Sequence, residues 1–302
     1  MSRAWYKPNA IPKLIGTLEG KRCNVQVWNT TCCVTKAGKD TEMKCTTLIN
    51  PANPQLSGVS KFPYFPKGGP VPKTPPTKDS HHIMGYVVRT LQVFRSRSIK
   101  LLVTHSPINI FLHFFFRWQT QWGGMEVGEG MFFAANVVDG IVHQLGGWQL
   151  ERECQRLPVM DDKEEEQERC PVGQAVSTGP GGPKLAAHFD QVVHAVPPFY
   201  NHHPDPEHYL LEAYRNALLV SFENNQLTSR VACPLMGAGC RGFPINVAIR
   251  IAGEFSQGWL DQQSRNKESD NDGQSKTLTF AIPDIEIAEQ LLVAMEGKSP
   301  QQ

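Results

Sequence analysis

The stretch that decides the fold is "RVACPLMGAGCRGFPINVAIRIAGEFSQGWL", residues 230–260. It opens as an apolar strand, crosses a loop of small residues between two prolines, and continues as a helix. Within "PLMGAGCRGFP" (234–244), four of eleven residues are Gly or Ala. So little side chain marks either a tight turn or a backbone that must touch something. Small residues let N–H groups approach an anion, and the following helix N-terminus adds partial positive charge. The spacing is neither that of a P-loop nor a clean G-x-G-x-x-G, so taken alone the loop reads first as a turn.

The same alternation extends outward. "DPEHYLLEAYRNALLVSFEN" (205–224) is an amphipathic helix, with Leu210, Leu211, Tyr214, Ala217, Leu218 and Phe222 at helical spacing. "FDQVVHAVPPFY" (189–200) is a buried strand halted by Pro-Pro, and "NVVDGIVHQLGGWQLEREC" (136–154) is a helix weakened by a glycine pair. "CNVQVWNTTCCV" (23–34) and "CTTLINPANPQLSG" (45–58) begin as strands, the second ending in turn chemistry. "TLTFAIPD" and "EIAEQLLVAM" close the chain as a strand and a helix. The charge run 161–169 reads as a solvated helix end or loop, and 262–275 as a polar linker. Strands alternating with helices predict an α/β/α three-layer sandwich around a central mixed sheet. The expected organisation is an N-terminal extension (1–22), one domain (23–296) with an insertion at 59–135, and a tail (297–302).

Composition narrows the class. The 302 residues are 40% hydrophobic and 20% charged with net charge +1, as for a globular protein with no overall bias toward nucleic acid or membranes. Residues 1–120 carry 17 Lys/Arg against 4 Asp/Glu, and residues 121–302 carry 13 against 25. This is either a basic face for a phosphorylated partner or charge that mixes once the halves share a sheet. The eight cysteines include no C-x-x-C pair, which points to reduced thiols in cytoplasm or nucleus. The N-terminus has no apolar signal core. His81-His82 and His202-His203 lack a placed third ligand, so neither a metal nor a cofactor is expected.

Residues 61–82 hold six prolines and read as an irregular loop. Residues 93–119, "VFRSRSIKLLVTHSPINIFLHFFFRWQ", are basic and then strongly apolar without a period. The readings are an interfacial anchor, a core-buried insertion and, preferred, translation of an unspliced intron. Val93 requires a GT-starting codon, the Phe run fits a pyrimidine tract, and Gln119 is compatible with CAG. Excision leaves the chain in frame.

Four further pieces bear on chemistry. "LINPANPQL" places Asn50 and Asn53 at a strand end, where amides suit ribose hydroxyls. "VVDGIVHQLGG" places Asp139 and His143 on one helical face. "CPVGQAVSTG" (170–179) follows, and "VVHAVPPFY" closes a strand in which His194 reads as a core or turn histidine.

In this order, ending with "PLMGAGCRGFP", the pieces resemble the macro domain, a family that binds ADP-ribose. The resemblance spans about residues 23–293. It implies binding of ADP-ribose, free or protein-linked, and in some members hydrolysis of ADP-ribosyl or O-acetyl-ADP-ribose bonds; the alternative is a non-catalytic reader of ADP-ribosylated proteins. It assigns Asn53 to the ribose farther from adenine, with Asn50 and Ala52 shaping the turn. Asp139 is the residue that activates or orients water, and His143 matches the histidine one turn later, making Asp139, Asn53 and His143 the catalytic set. Val196 and Pro197 line the pocket, Pro197 in place of a glycine. Gly237, Ala238, Gly239, Cys240, Arg241 and Gly242, with Phe243, wrap the diphosphate through backbone amides. The chain departs from the family in lacking a glycine run before Asp139, for which Gly123-Gly124 or Gly128–Gly130 are the substitutes. For the aspartate that reads adenine, Asp40 is the nearest counterpart and Asn29 another.

Overall fold

The computed structural model describes residues 11–30, 32–58, 138–163, 166–223, 228–239, 241–265 and 275–297. The insertion 59–135, including 93–119 and the candidate glycines, lies outside the described residues, as do Cys240 and His81-His82.

Among the described residues, seven strands form one sheet: β1 (Lys13–Glu19), β2 (Cys23–Asn29), β3 (Thr47–Pro51), β6 (Ala175–Thr178), β7 (Gln191–Ala195), β8 (Arg230–Cys233) and β9 (Lys276–Ile282). Their order is β1-β2-β9-β8-β3-β7-β6. The interior pairs β2–β9, β9–β8, β8–β3 and β3–β7 are parallel, while β1 and β6 close the two edges antiparallel. The short strands β4 (Asp161–Lys163) and β5 (Glu166–Glu168) make a separate hairpin.

Side chains alternate across the strands, and both faces are buried. On one face Val25, Val27, Ile49, Val193, Val231, Leu278 and Phe280 meet α4 (Pro206–Glu223), α5 (Ile245–Arg265) and α6 (Ile285–Met295). On the other, Leu48, Val192, Ala232 and Ala281 meet α1 (Cys33–Lys36), α2 (Val138–Arg156) and α3 (Pro183–Ala186). These are the expected three layers. Helix α6 starts sharply because the Asp284 carboxylate accepts from the backbone N–H groups of Glu286 and Ile287.

Three boundaries differ from the sequence reading. The sheet begins at Lys13 rather than Cys23, since "KLIGTLE" pairs along β2 from Lys13↔Asn29 to Glu19↔Asn24. The charge run 161–169 includes the β4–β5 hairpin, in which backbone pairing and not side-chain polarity sets the conformation. Helix α5 continues to Arg265, four residues into the expected linker. The glycine pair acts as expected: Gly147 adopts a non-helical conformation and kinks α2.

Candidate functional site

The interior strands β2, β9, β8, β3 and β7 all run the same way, so their carboxyl ends share one edge of the sheet. In open α/β sheets that edge is where ligands bind. The Asn turn leaves β3 here, the Pro-Pro segment leaves β7, and the small-residue loop leaves β8.

Asn50 and His194 are register partners on β3 and β7, and both are fully buried. They alternate with Leu48 and Val192, so they face the α2 layer. Asp139, buried in the first turn of α2, comes down onto them. The Asn50 amide Nδ2 donates to Asp139 Oδ1 at 2.7 Å and lies 3.2 Å from His194 Nδ1. His194 Nε2 is 2.9 Å from Thr178 Oγ1, whose hydroxyl donates to the Gly179 carbonyl at 2.9 Å.

Donor and acceptor counting orients this chain. The Asn50 amide supplies two hydrogens, one for the carboxylate and one for His194 Nδ1. His194 therefore carries its proton on Nε2 and donates to Thr178. Burial, with His143 adding to it, pushes the His194 imidazole down to about 3, which keeps the ring neutral. Thr178 and His194 thus position Asn50, and Asn50 positions the carboxylate.

Burial pushes the Asp139 carboxyl above the ordinary carboxylate range, opposed by His143, the Asn50 donor and Arg241. His143 Nε2 lies 3.5 Å from Asp139 Oδ1, as the i, i+4 spacing requires. The same atom and Asn50 Oδ1 are buried without a hydrogen-bond partner among the described residues. A partly dehydrated carboxylate held from behind by an amide can accept a proton from water or a hydroxyl.

The Asn turn is fixed from several sides. Ala52 N–H donates to the Ala195 carbonyl at 2.8 Å, and the Pro54 carbonyl accepts from Arg169 and Cys170 N–H groups. Asn53 is buried, with Nδ2 donating to the Gly58 carbonyl at 2.9 Å and Oδ1 accepting from Ser57 N–H at 3.1 Å. Its amide thus shapes the turn that the resemblance assigned to Asn50 and Ala52, while Asn50 reaches the carboxylate. Gly58 has φ +60, and a Cβ there would stand 2.6 Å from the His143 ring. Only glycine lets the Asn turn pack this closely on α2.

Across the site, Gly237 turns the chain with φ +86, and a Cβ there would meet Leu210 and Phe243 at 3.0 Å. Phe243 N–H donates to the Gly237 carbonyl and Gly242 N–H to the Gly239 carbonyl, folding the loop onto the start of α5. Gly239 is exposed, Ala238 half-buried and Phe243 buried. Phe243 packs on Tyr200 with ring centroids 5.0 Å apart. Val196 and Pro197 are buried at the end of β7.

The loop is also anchored from the core. Met236 N–H donates to the hydroxyl of the buried Tyr214 at 2.8 Å. We expect Tyr214→Phe to orphan this N–H and to destabilise the fold by about 1–3 kcal/mol. Urea unfolding checks this; unchanged stability would mean the N–H has another acceptor.

Asp40 does not reach this edge. It forms a pair with His188 Nδ1 at 2.9 Å, and that hydrogen bond lowers the Asp40 carboxyl. Lys39 N–H bonds the His188 carbonyl and Asp190 N–H the Thr46 carbonyl, both ahead of the first β3–β7 pair, Thr47↔Gln191. Asp40 therefore stands at the amino ends of the strands, and the adenine assignment to it is corrected. Asn29 sits at the carboxyl end of β2, with Nδ2 donating to the Ile282 and Pro283 carbonyls.

Sequence reasoning left His194 as a core histidine and gave Thr178 and Cys154 no role. The one usable signal was the strand register, which places position 194 beside Asn50. Among the described residues, His143, Cys154 and His194 bring ligand-type atoms within 4.8 Å of one another. With its proton on Nε2, His194 turns an N–H rather than a lone pair toward this cluster, in which Cys154 Sγ lies 3.8 Å from that nitrogen.

A family model described as the Macro domain matches residues 129–252, which run from before Asp139 through the small-residue loop. An O-acetyl-ADP-ribose deacetylase of Cronobacter turicensis is 33% identical over 132 residues, 43% of this chain and 68% of that protein. The chain belongs to the macro domain family. A macro domain-containing protein of Caldanaerobacter subterraneus subsp. tengcongensis is 37% identical over 130 residues, 42% of this chain. The match spans 66% of that relative, just under two thirds of its length. The Oceanobacillus iheyensis macrodomain with ADP superposes with TM-score 0.54 at 14% identity, covering 95% of this chain and 97% of that one. This macro domain therefore shares the fold of that structure. Among the described residues no helix is long and apolar enough to cross a membrane.

Proposed function

We propose that this macro domain binds ADP-ribose, free or attached to a protein, and hydrolyses an ADP-ribosyl or O-acetyl-ADP-ribose ester bond. The observation that carries the reading is the buried Asp139 carboxyl, held by Asn50 at the edge where the Asn turn and the small-residue loop converge. The name of the Cronobacter relative supports the same chemistry. In the proposed reaction the loop 237–243 holds the diphosphate through backbone N–H groups, aided by the N-terminus of α5. Asp139 takes a proton as water adds to the ester, the carbon–oxygen bond breaks, and the proton passes to the leaving group or to solvent. Asn29, at the carboxyl end of β2, is the adenine-side candidate. The seven described cysteines are free thiols, which supports a cytoplasmic or nuclear location.

One observation favours a second reading. Both polar atoms of Asn53 are engaged in its own turn, which suits a module that reads ADP-ribosylated proteins without cutting them. Calorimetry with ADP-ribose, followed by loss of label from an ADP-ribosylated protein, separates the two. Binding with turnover supports the hydrolase, binding without turnover leaves the reader, and no binding rejects both.

A further inference from the structure

The least expected buried side chain is that of Arg241. It belongs to the small-residue loop, where the resemblance gives contacts to backbone amides alone, yet only 7% of its surface is exposed. One guanidinium N–H bonds the Ala52 carbonyl of the Asn turn, and the guanidinium lies over the Phe199 ring at 4.4 Å from its centroid. Its own carbonyl accepts from Tyr200 N–H at 2.9 Å. Arg241 thus spans the gap between the loop leaving β8 and the turn leaving β3.

Its bonding is incomplete. A guanidinium presents five N–H donors and a charge that is never given up. Among the described residues one oxygen accepts from it, and no carboxylate lies within ion-pair distance. Asp139 feels the charge without an ion pair to it, and its burial favours the neutral acid. A buried guanidinium with one described oxygen acceptor and one ring face beneath it has donors to spare, and an anionic ligand would engage them. Holding two loops together would be done as well by a neutral donor.

We propose that the Arg241 side chain grips the ligand's diphosphate, at the phosphoryl group on the distal-ribose side, adding a charged contact to the backbone cradle. The position follows from its two attachments. The backbone of Arg241 lies in the loop assigned to the diphosphate, and its guanidinium reaches the turn assigned to the distal ribose. This inference rests on the ADP-ribose reading above.

The test is calorimetry on the full chain with ADP-ribose, ADP and AMP, comparing the parent with Arg241→Gln and Arg241→Lys. ADP has the distal phosphoryl group and AMP lacks it. Charge-assisted contacts of this type correspond to roughly 10–100-fold in affinity. Arg241→Gln is expected to weaken ADP-ribose and ADP by that factor, leave AMP within about twofold, and flatten the salt dependence. Arg241→Lys, which keeps the charge without the fork, should lose less. Unchanged affinity for ADP in the Gln variant overturns the inference, and so does an equal loss for AMP, which marks a purely structural clamp. If the Gln variant does not fold, the Lys variant decides: equal loss for ADP and AMP, or no loss for either, overturns it. Failure of the parent chain to bind ADP-ribose rejects the function itself and this inference with it.

Discussion

Asp139→Asn is expected to slow ester hydrolysis by roughly 10²–10⁴-fold, the contribution of a positioned general base, while ADP-ribose affinity changes by only a few-fold. The substitution is chosen for what it preserves. An asparagine keeps the volume at the start of α2, and its amide oxygen can still accept from Asn50 Nδ2, so the 2.7 Å contact has a counterpart. What disappears is the capacity to take a proton. Comparing turnover with binding therefore isolates the chemistry from the pocket. A variant that cuts as fast as the parent would remove Asp139 from the mechanism and leave a reader.

The same residue gives a pH signature with a definite sign. The folded-state pKa of Asp139 is raised above its ordinary value of 3.8, chiefly by burial. The fold therefore prefers the protonated carboxyl. Its stabilising contribution is complete below the unfolded value and is lost as pH rises through the folded one. Stability measured from pH 4 upward should fall more steeply in the parent than in Asp139→Asn, which has no proton to lose. Hydrolysis runs the other way, rising as the carboxylate forms. Parallel pH profiles for the two proteins would contradict the burial of this charge.

The layers were legible because periodicity and loop chemistry agreed along most of the chain. Val192 and Val193 of β7 both pack into cores, on opposite faces, as expected of an interior parallel strand. Strand β1 was harder to see because "KLIGTLE" is an edge strand, half-exposed and broken in register between Leu14 and Gly16. The hairpin at 161–168 was hidden for a related reason: an isolated pair can form from polar residues with no apolar alternation to betray it. In the site, Asp139 and the small-residue loop both stand at the carboxyl edge of the sheet. Motif position could not show which atoms the side chains use. Asn53 turned out to bond its own turn, and Asp40 lies at the other end of the strands because His188 holds it there. His194 looked inert because a histidine among valines usually is. Only the β3–β7 register, with Asn50 opposite, makes it a member of the network.

Asn50 is where the second large effect is expected, since its amide serves two buried acceptors at once. Asn50→Leu fills the space but leaves Asp139 Oδ1 and His194 Nδ1 without their donor. Each orphaned group costs about 1–3 kcal/mol, so the variant should lose roughly 2–6 kcal/mol of a stability that for typical domains is only about 5–15. Urea unfolding reads this directly. Asn50→Asp separates the hydrogen bonds from the charge. It places a second carboxylate against Asp139, and two carboxylates in contact cannot both ionise at low cost, so the pair retains a proton. Its stability deficit should grow as pH rises above the ordinary aspartate range, whereas that of Asn50→Leu should vary less. If the Leu variant unfolds at the parent's urea midpoint, the amide is not the element that holds the carboxylate. His143, 3.5 Å from the same oxygen, would then be the group to test next.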